Sequence, residues 1–294
     1  MLWDLLPAGK QLGGAPANFA YMTALLGDRA LVASRIGKDR LGNAAARRLA
    51  RLGLPTTHLQ VDAVHPTGCV NVTVDAEGQP QFEILEKVAW DYFEWTPQWQ
   101  QLAAETDAVC FGSLAQRSAQ SRVTILAFLE ALRPEALRIF DVNLRQAFFT
   151  KDVLEESTAR ADIMKLNEEE LLRVAGVLGA TVTDRLAAAR WILKRYKIKM
   201  ICVTCGANGS LLVTPDALDT HPGYPVTVAD TVGSGDAFTA ALVHNFLRKA
   251  SLKAMNNAAN RLGSWVASQV GATPPADPAV LLDVHNSSEE SSAA

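Results

Sequence analysis

The chain has 294 residues, 49% of them hydrophobic and 20% charged, a globular balance that supports a sizeable core and excludes disorder throughout. At ~100 to 200 residues per domain this makes one large domain or two ordinary ones. Its 28 Lys and Arg against 31 Asp and Glu leave a net charge of -3, so there is no basic footprint for nucleic acid or an anionic membrane.

Four cysteines are too few for a disulfide scaffold, and no apolar run reaches the ~20 residues of a membrane span. Met1-Leu2-Trp3-Asp4 opens with neither a basic stretch nor a long apolar one. The expectation is a reduced, soluble, cytoplasmic protein.

In chain order, Gly13-Gly14 precedes Pro16, which suits a first helical turn, and small residues from about Ala17 to Leu26 continue the helix. The apolar run at 30–36 reads as a strand. Leu41, Ala45, Leu49 and Leu52 then mark one face of a helix. Val70, Val72 and Val74 alternate with polar neighbours, Glu77-Gly78 marks a turn, and Phe82 and Ile84 resume the extended pattern. That is a hairpin inserted between Thr67 and Val88, either an extra sheet edge or a lid over a site.

From Asp107 onward, apolar runs at 108–111, 137–142, 163–166 and 200–203 are separated by helical stretches at about 118–132, 151–159 and 168–195. This alternation predicts a mainly parallel sheet covered by helices on both faces, with ligands outside the carboxyl ends of its strands. Residues 226–228 look strand-like, helices follow at about 235–249 and 252–270, and the small, polar, acidic tail at 286–294 reads as disordered.

The strongest motif is Asp230-Thr231-Val232-Gly233-Ser234-Gly235-Asp236, running into an apolar helix. Two glycines around a serine leave bare amides at a helix start, and the helix dipole favours an anion there. Asp236, beside those amides, is poorly placed to bind phosphate but well placed to take a proton from an attacking hydroxyl. Asp in a first turn is also common as a simple helix cap. Other strand ends carry Thr204 to Gly209, whose Gly206 and Gly209 let backbone approach a ligand, Asp141 to Arg145, and Asn167 to Glu170. Cys202 and Cys205, an odd spacing on a strand, read as structural thiols, and the five histidines are too scattered for a zinc site.

Taken together, these motifs resemble the PfkB (ribokinase-like) family of carbohydrate kinases over nearly the whole chain. Asp230 to Asp236 is similar to the family's Asp-Thr-x-Gly-Ala-Gly-Asp signature, with Ser234 in place of alanine, and Gly13 to Asn18 resembles its amino-terminal signature in fructokinase-like form. The resemblance implies an α/β, ribokinase-like three-layer sandwich with a mainly parallel central sheet and a small β lid. The core would comprise residues 1–66 and 91–285, and the lid 67–90.

It also implies an ATP-dependent sugar kinase that phosphorylates a hydroxymethyl group, with fructose as acceptor. Ribose, 2-keto-3-deoxygluconate or a nucleoside are the alternative acceptors, and a catalytically silent binding protein is the alternative from another class. Asp236 would be the base, with Gly233, Ser234 and Gly235 as the anion hole. Asp4, Gly14 and Asn18 would hold the sugar, and Arg145 would face the phosphoryl path. Asn167, Thr204, Gly206, Gly209 and Asn260 would serve ATP, Glu170 would organise Mg2+ through water, and Asp230 with the Val232 carbonyl would touch a monovalent cation, K+. A homodimer is expected, with no nucleic acid or membrane partner. Family chains usually begin with a complete strand leading into the sugar-binding aspartate, whereas only Met1, Leu2 and Trp3 precede Asp4 here.

Overall fold

The structure, a computed structural model, describes residues 1–6, 9–74 and 80–289. Leu2–Leu6 (β1) and Gly9–Gly13 (β2) pair antiparallel. Gly14, at φ 101°, caps Ala15–Leu25 (α1), and Pro16 sits in the first turn, where its missing N–H breaks no helix bond. Ser34–Gly37 (β3) is followed by Arg40–Arg51 (α2), whose start is closed by the Asp39 carboxylate accepting from the Gly42 amide. Leu59–Asp62 (β4) runs parallel to β3.

The inserted hairpin forms, with Cys69–Val74 (β5) antiparallel to Pro80–Ile84 (β6). The turn expected at Glu77-Gly78 lies outside the described residues. The hairpin is not alone: β5 also pairs in parallel with β1, giving a four-stranded sheet of order β2-β1-β5-β6. Residues 2–6 and 9–13 therefore belong with the small sheet, which extends beyond the 67–90 expected. Asp4 sits opposite Gln11 and Val70 within it, not at the end of a central strand.

Pro97–Glu105 (α3), Ala108–Phe111 (β7), Ala119–Glu130 (α4), Leu137–Asp141 (β8), Lys151–Arg160 (α5) and Ile163–Asn167 (β9) then alternate. The helical stretch expected over 168–195 is two helices, Glu168–Val177 (α6) and Arg185–Tyr196 (α7). Gly179, at φ 101°, turns the chain out of the first. Met200–Thr204 (β10), Ser210–Val213 (β11) and Leu218–His221 (β12) form an antiparallel meander.

Ser234–Leu247 (α8), Leu252–Ala267 (α9) and Pro278–Glu289 (α10) are the last elements of the described residues. The tail expected to be disordered from 286 is therefore helical as far as Glu289, because α10 is anchored by the fully buried Val284. Residues 226–228 are not a strand. That segment is hung on α9 instead, through the Ala229 amide donating to the Ala267 carbonyl at 2.9 Å.

The central sheet has the order β12-β11-β10-β9-β8-β7, with β7 to β10 parallel. Strand alternation sorts its side chains into two cores. Phe140, Met164, Leu166, Ile201 and Val203 pack under α3, α4, α6 and α7, while Ile139, Ile163, Met200 and Cys202 pack under α1, α2, α8 and α9. Each large side chain buried as fully as Phe140 stabilises by about 1.5–3 kcal/mol. The result is the three-layer α/β sandwich. Residues 30–33, expected as part of a strand, have no strand paired with them among the described residues; they line a cavity of about 400 Å³ opposite β7.

One buried cation ties the small sheet to the core. The Arg117 guanidinium donates to both Asp91 carboxylate oxygens at 2.8 Å and to the Leu85 carbonyl just past β6, and lies 4.1 Å over the Trp90 ring. Both partners are almost wholly buried. Arg117→Met, which leaves the Asp91 carboxylate buried without its cation, should therefore cost about 3–5 kcal/mol in urea unfolding. A loss below about 1 kcal/mol, the range of exposed pairs, would show that this anchor is not structural.

Candidate active site

The first turn of α8 is built to stay open. Gly233 is its N-cap at φ 82°, no side chain caps it, and a Cβ at Gly233 would stand 2.4 Å from that of Ala272. Only glycine fits that backbone and that space. The Ser234 hydroxyl donates back to the Thr231 carbonyl at 2.9 Å, so it does not occupy the helix start. Asp230 braces the turn from below, accepting from the Val232 amide at 3.0 Å and the Gly271 amide at 3.1 Å. Uncapped first-turn amides and the positive end of the dipole are thereby left to an incoming anion.

Asp236 follows, partly exposed. Its carboxylate accepts from the Asn18 side-chain amide of α1 at 2.8 Å. Burial, and next the Asp141 charge, push its pKa up to about 6, against the pull of Asn18, Lys165 and Arg145. A carboxylate so poised is ionised at neutral pH yet basic enough to accept a proton. The Asn18 carbonyl oxygen is buried with no protein donor, an acceptor left for a ligand hydroxyl.

Below this turn, Lys165 reaches from β9. It is 5% exposed, its ammonium lies 3.1 Å from the Asp141 carboxylate at the end of β8, and a Cβ on Gly235 would meet it at 2.9 Å. Burial alone would lower its pKa, but Asp141 and Asp236 hold it at about 12. Lys165 was not among the residues singled out from the sequence. The signal was there, a lone cation inside the apolar strand Ile163–Asn167.

Arg145 lies on the exposed loop after β8, between Asn143 at φ 42° and Gln146 at φ 49°. Glu170 holds this loop in place, accepting from the Leu144 amide at 2.8 Å and the Asn167 amide at 3.0 Å, while the Asn167 side chain accepts from the Glu170 amide at 2.8 Å. This is a reciprocal helix cap on α6 extended to a second loop. Each Glu170 oxygen thus already takes one backbone hydrogen, with lone pairs left over.

The expected nucleotide residues also converge. Thr204 is opposite Asn167 in the parallel register of β9 and β10, and donates to the Leu166 carbonyl at 3.3 Å. In the turn that follows, Gly206 has open space where a side chain would go, whereas a Cβ on Gly209 would lie 1.9 Å from the His221 carbonyl. Gly206 is free for a ligand; Gly209 is required by the fold. Asn260 on α9 is 5% exposed and donates to the Ser210 hydroxyl at 2.7 Å and the Asn256 carbonyl at 2.8 Å, so it holds the turn through Ser210.

Asp4 stands apart from these, on β1 in the small sheet. Burial raises its pKa, and the absent side chain of Gly13 leaves room for its carboxylate, since a Cβ there would be 2.4 Å away. Gly14 joins that sheet to α1, which carries Asn18 four residues on.

The sequence profile described as pfkB family carbohydrate kinase matches residues 8–279. The chain belongs to the pfkB family of carbohydrate kinases. This pfkB kinase is 32% identical over 254 residues to a fructokinase of Escherichia coli, covering 82% of the chain and 80% of the relative. It superposes on the crystal structure of an uncharacterized sugar kinase of Pyrococcus horikoshii with a TM-score of 0.84 and 27% identity, over 99% and 96% of the two chains. The crystal structure of that sugar kinase in complex with ATP gives 0.75 and 27%, over 92% and 91%. Among the described residues of this pfkB kinase, no helix is long and apolar enough to cross a membrane.

Proposed function

We propose that the protein transfers the γ-phosphoryl group of ATP to a hydroxymethyl oxygen of fructose. The observation that carries the reading is Asp236 held by Asn18 beside the uncapped start of α8. The acceptor oxygen bonds to phosphorus as the bond to the ADP oxygen breaks, its proton goes to the Asp236 carboxylate, and the amides around Gly233 to Gly235 stabilise the charge on the phosphoryl oxygens. Transfer of this kind asks a protein mainly for positioning and charge stabilisation. Arg145, on its strained loop, would face the same charge.

Fructose is supported by the name of the Escherichia coli relative, and ATP by the nucleotide complex of the Pyrococcus horikoshii kinase. Asp4, Gly14 and the unpartnered Asn18 oxygen would hold sugar hydroxyls, with the small sheet closing over them as a lid that keeps water from the phosphoryl group. Thr204, Gly206 and Asn260 would serve the nucleotide. No group of three or more His, Cys, Asp or Glu able to hold a metal occurs among the described residues. Glu170, whose two oxygens each accept one backbone hydrogen and keep lone pairs over, suits Mg2+, which keeps water and phosphate ligands and needs few carboxylates; it would hold the ion through water, where the ion would neutralise phosphate charge. The Asp230 turn would take K+.

The test is ADP release with fructose, ribose, 2-keto-3-deoxygluconate and adenosine in turn. Fructose should give the highest kcat/KM. A preference for adenosine would overturn the sugar assignment, and no release with any acceptor would favour a silent binding protein.

A further inference from the structure

A lysine is rarely this buried unless it is paired, and the positive end of a helix dipole is an unfavourable place for a cation. Lys165 sits there nonetheless, under Gly235 and against Asp141. Alternation along β9 places it on the same face as Ile163, the face covered by α8. An ion pair needed only to fill the core would be served as well by apolar side chains. The ammonium's position against the Asp141 carboxylate and under the turn that carries Asp236 points to a task at the site.

We propose that Lys165 is a positioning residue for phosphoryl transfer, its ammonium wedged between Asp141 and the first turn of α8 so that Asp236 stays ionised and the Gly235 backbone stays aligned. Asp141 and Asp236 are like charges in one low-dielectric space and repel. Lys165 cancels part of that repulsion. The other groups facing Asp236 are the Asn18 amide from α1 and the Arg145 guanidinium from the loop after β8. Cys110 of β7, whose pKa burial raises well above its ordinary value, remains a neutral thiol, and Cys202 of β10 is likewise raised by burial. Glu170 acts on the same cluster through Asp141. The balance of Asp141 and Lys165 therefore sets the pH at which the base is lost.

The inference rests on Asp236 being the base, and its test separates the two. The pH dependence of kcat/KM is measured for Lys165→Met and for Asp141→Asn. Lys165→Met should move the acid limb up by about one pH unit, with turnover recovering at high pH and sugar KM little changed, and Asp141→Asn should move it down by a similar amount. In the double variant the limb should return near that of the parent, and because both charges go together it also keeps the core neutral should Lys165→Met fold poorly. A structural role alone would lower stability or activity at every pH and leave the limb in place. An unmoved limb in Asp141→Asn overturns the proposal, as does one unmoved in a folded Lys165→Met. Full turnover in Asp236→Asn would instead remove the base itself.

Discussion

Asp236→Asn should lower kcat by about 10² to 10⁴ while changing the sugar KM only a few-fold. The amide oxygen of the new side chain still accepts from Asn18, so the 2.8 Å contact and the shape of the site persist. What is lost is the lone pair that takes the hydroxyl proton in the transition state. In the parent enzyme the same group should set the pH profile. With a pKa of about 6 it is protonated and inert below that value, so kcat/KM should fall tenfold per pH unit in acid, and a profile flat down to pH 4.5 would exclude it as the base.

Stability should move the opposite way. A carboxyl whose pKa is raised on folding from 3.8 to about 6 contributes stability that is complete below 3.8 and lost as pH rises through 6. At pH 7 to 8 the folded protein carries that penalty, so Asp236→Asn should melt at a higher temperature than the parent there, and the difference should vanish near pH 4. A base held by burial and by a like charge costs the fold some stability, a common trade at reactive sites.

Gly233→Ala is the second large effect. The residue must take φ 82°, and its new methyl would stand 2.4 Å from the Ala272 Cβ. Strain of each kind costs about 1–3 kcal/mol, and the strain falls at the amides proposed to meet the phosphoryl group. Turnover should drop by about 10² if the first turn of α8 shifts by 1 Å. Calorimetry and single-turnover kinetics read the two parts. An alanine variant with parental kcat would show that the amides at this turn do not contact the reacting group.

Much of the core was legible because its periods are local. Runs such as 137–142 and 163–166 announce buried strands by composition alone, and the glycines around Ser234 announce a bare helix start. Length was harder. The stretch 168–195 is helical at both ends, but Gly179 and the β-branched Thr181-Val182-Thr183 before the Asp184 cap interrupt it, and the left-handed backbone at Gly179 fixes where the first helix stops. Residues 226–228 have the β-branched character of a strand, but a strand exists only where another lies beside it, and among the described residues none does. Residues 2–13 gave a short apolar opening whose partner, β5, lies more than fifty residues away.

The sequence by itself determined the layered α/β architecture, the bare helix start and the place of Asp236 in its first turn, because each follows from chemistry between neighbours in the chain. Tertiary structure alone decided which charges share one buried volume. Asn18 and Asp236, 218 residues apart, become hydrogen-bond partners, and Lys165 reaches both Asp141 and the turn before Asp236. Coulomb energy depends on separation in space and on the water removed between charges, and neither quantity is written in the order of residues.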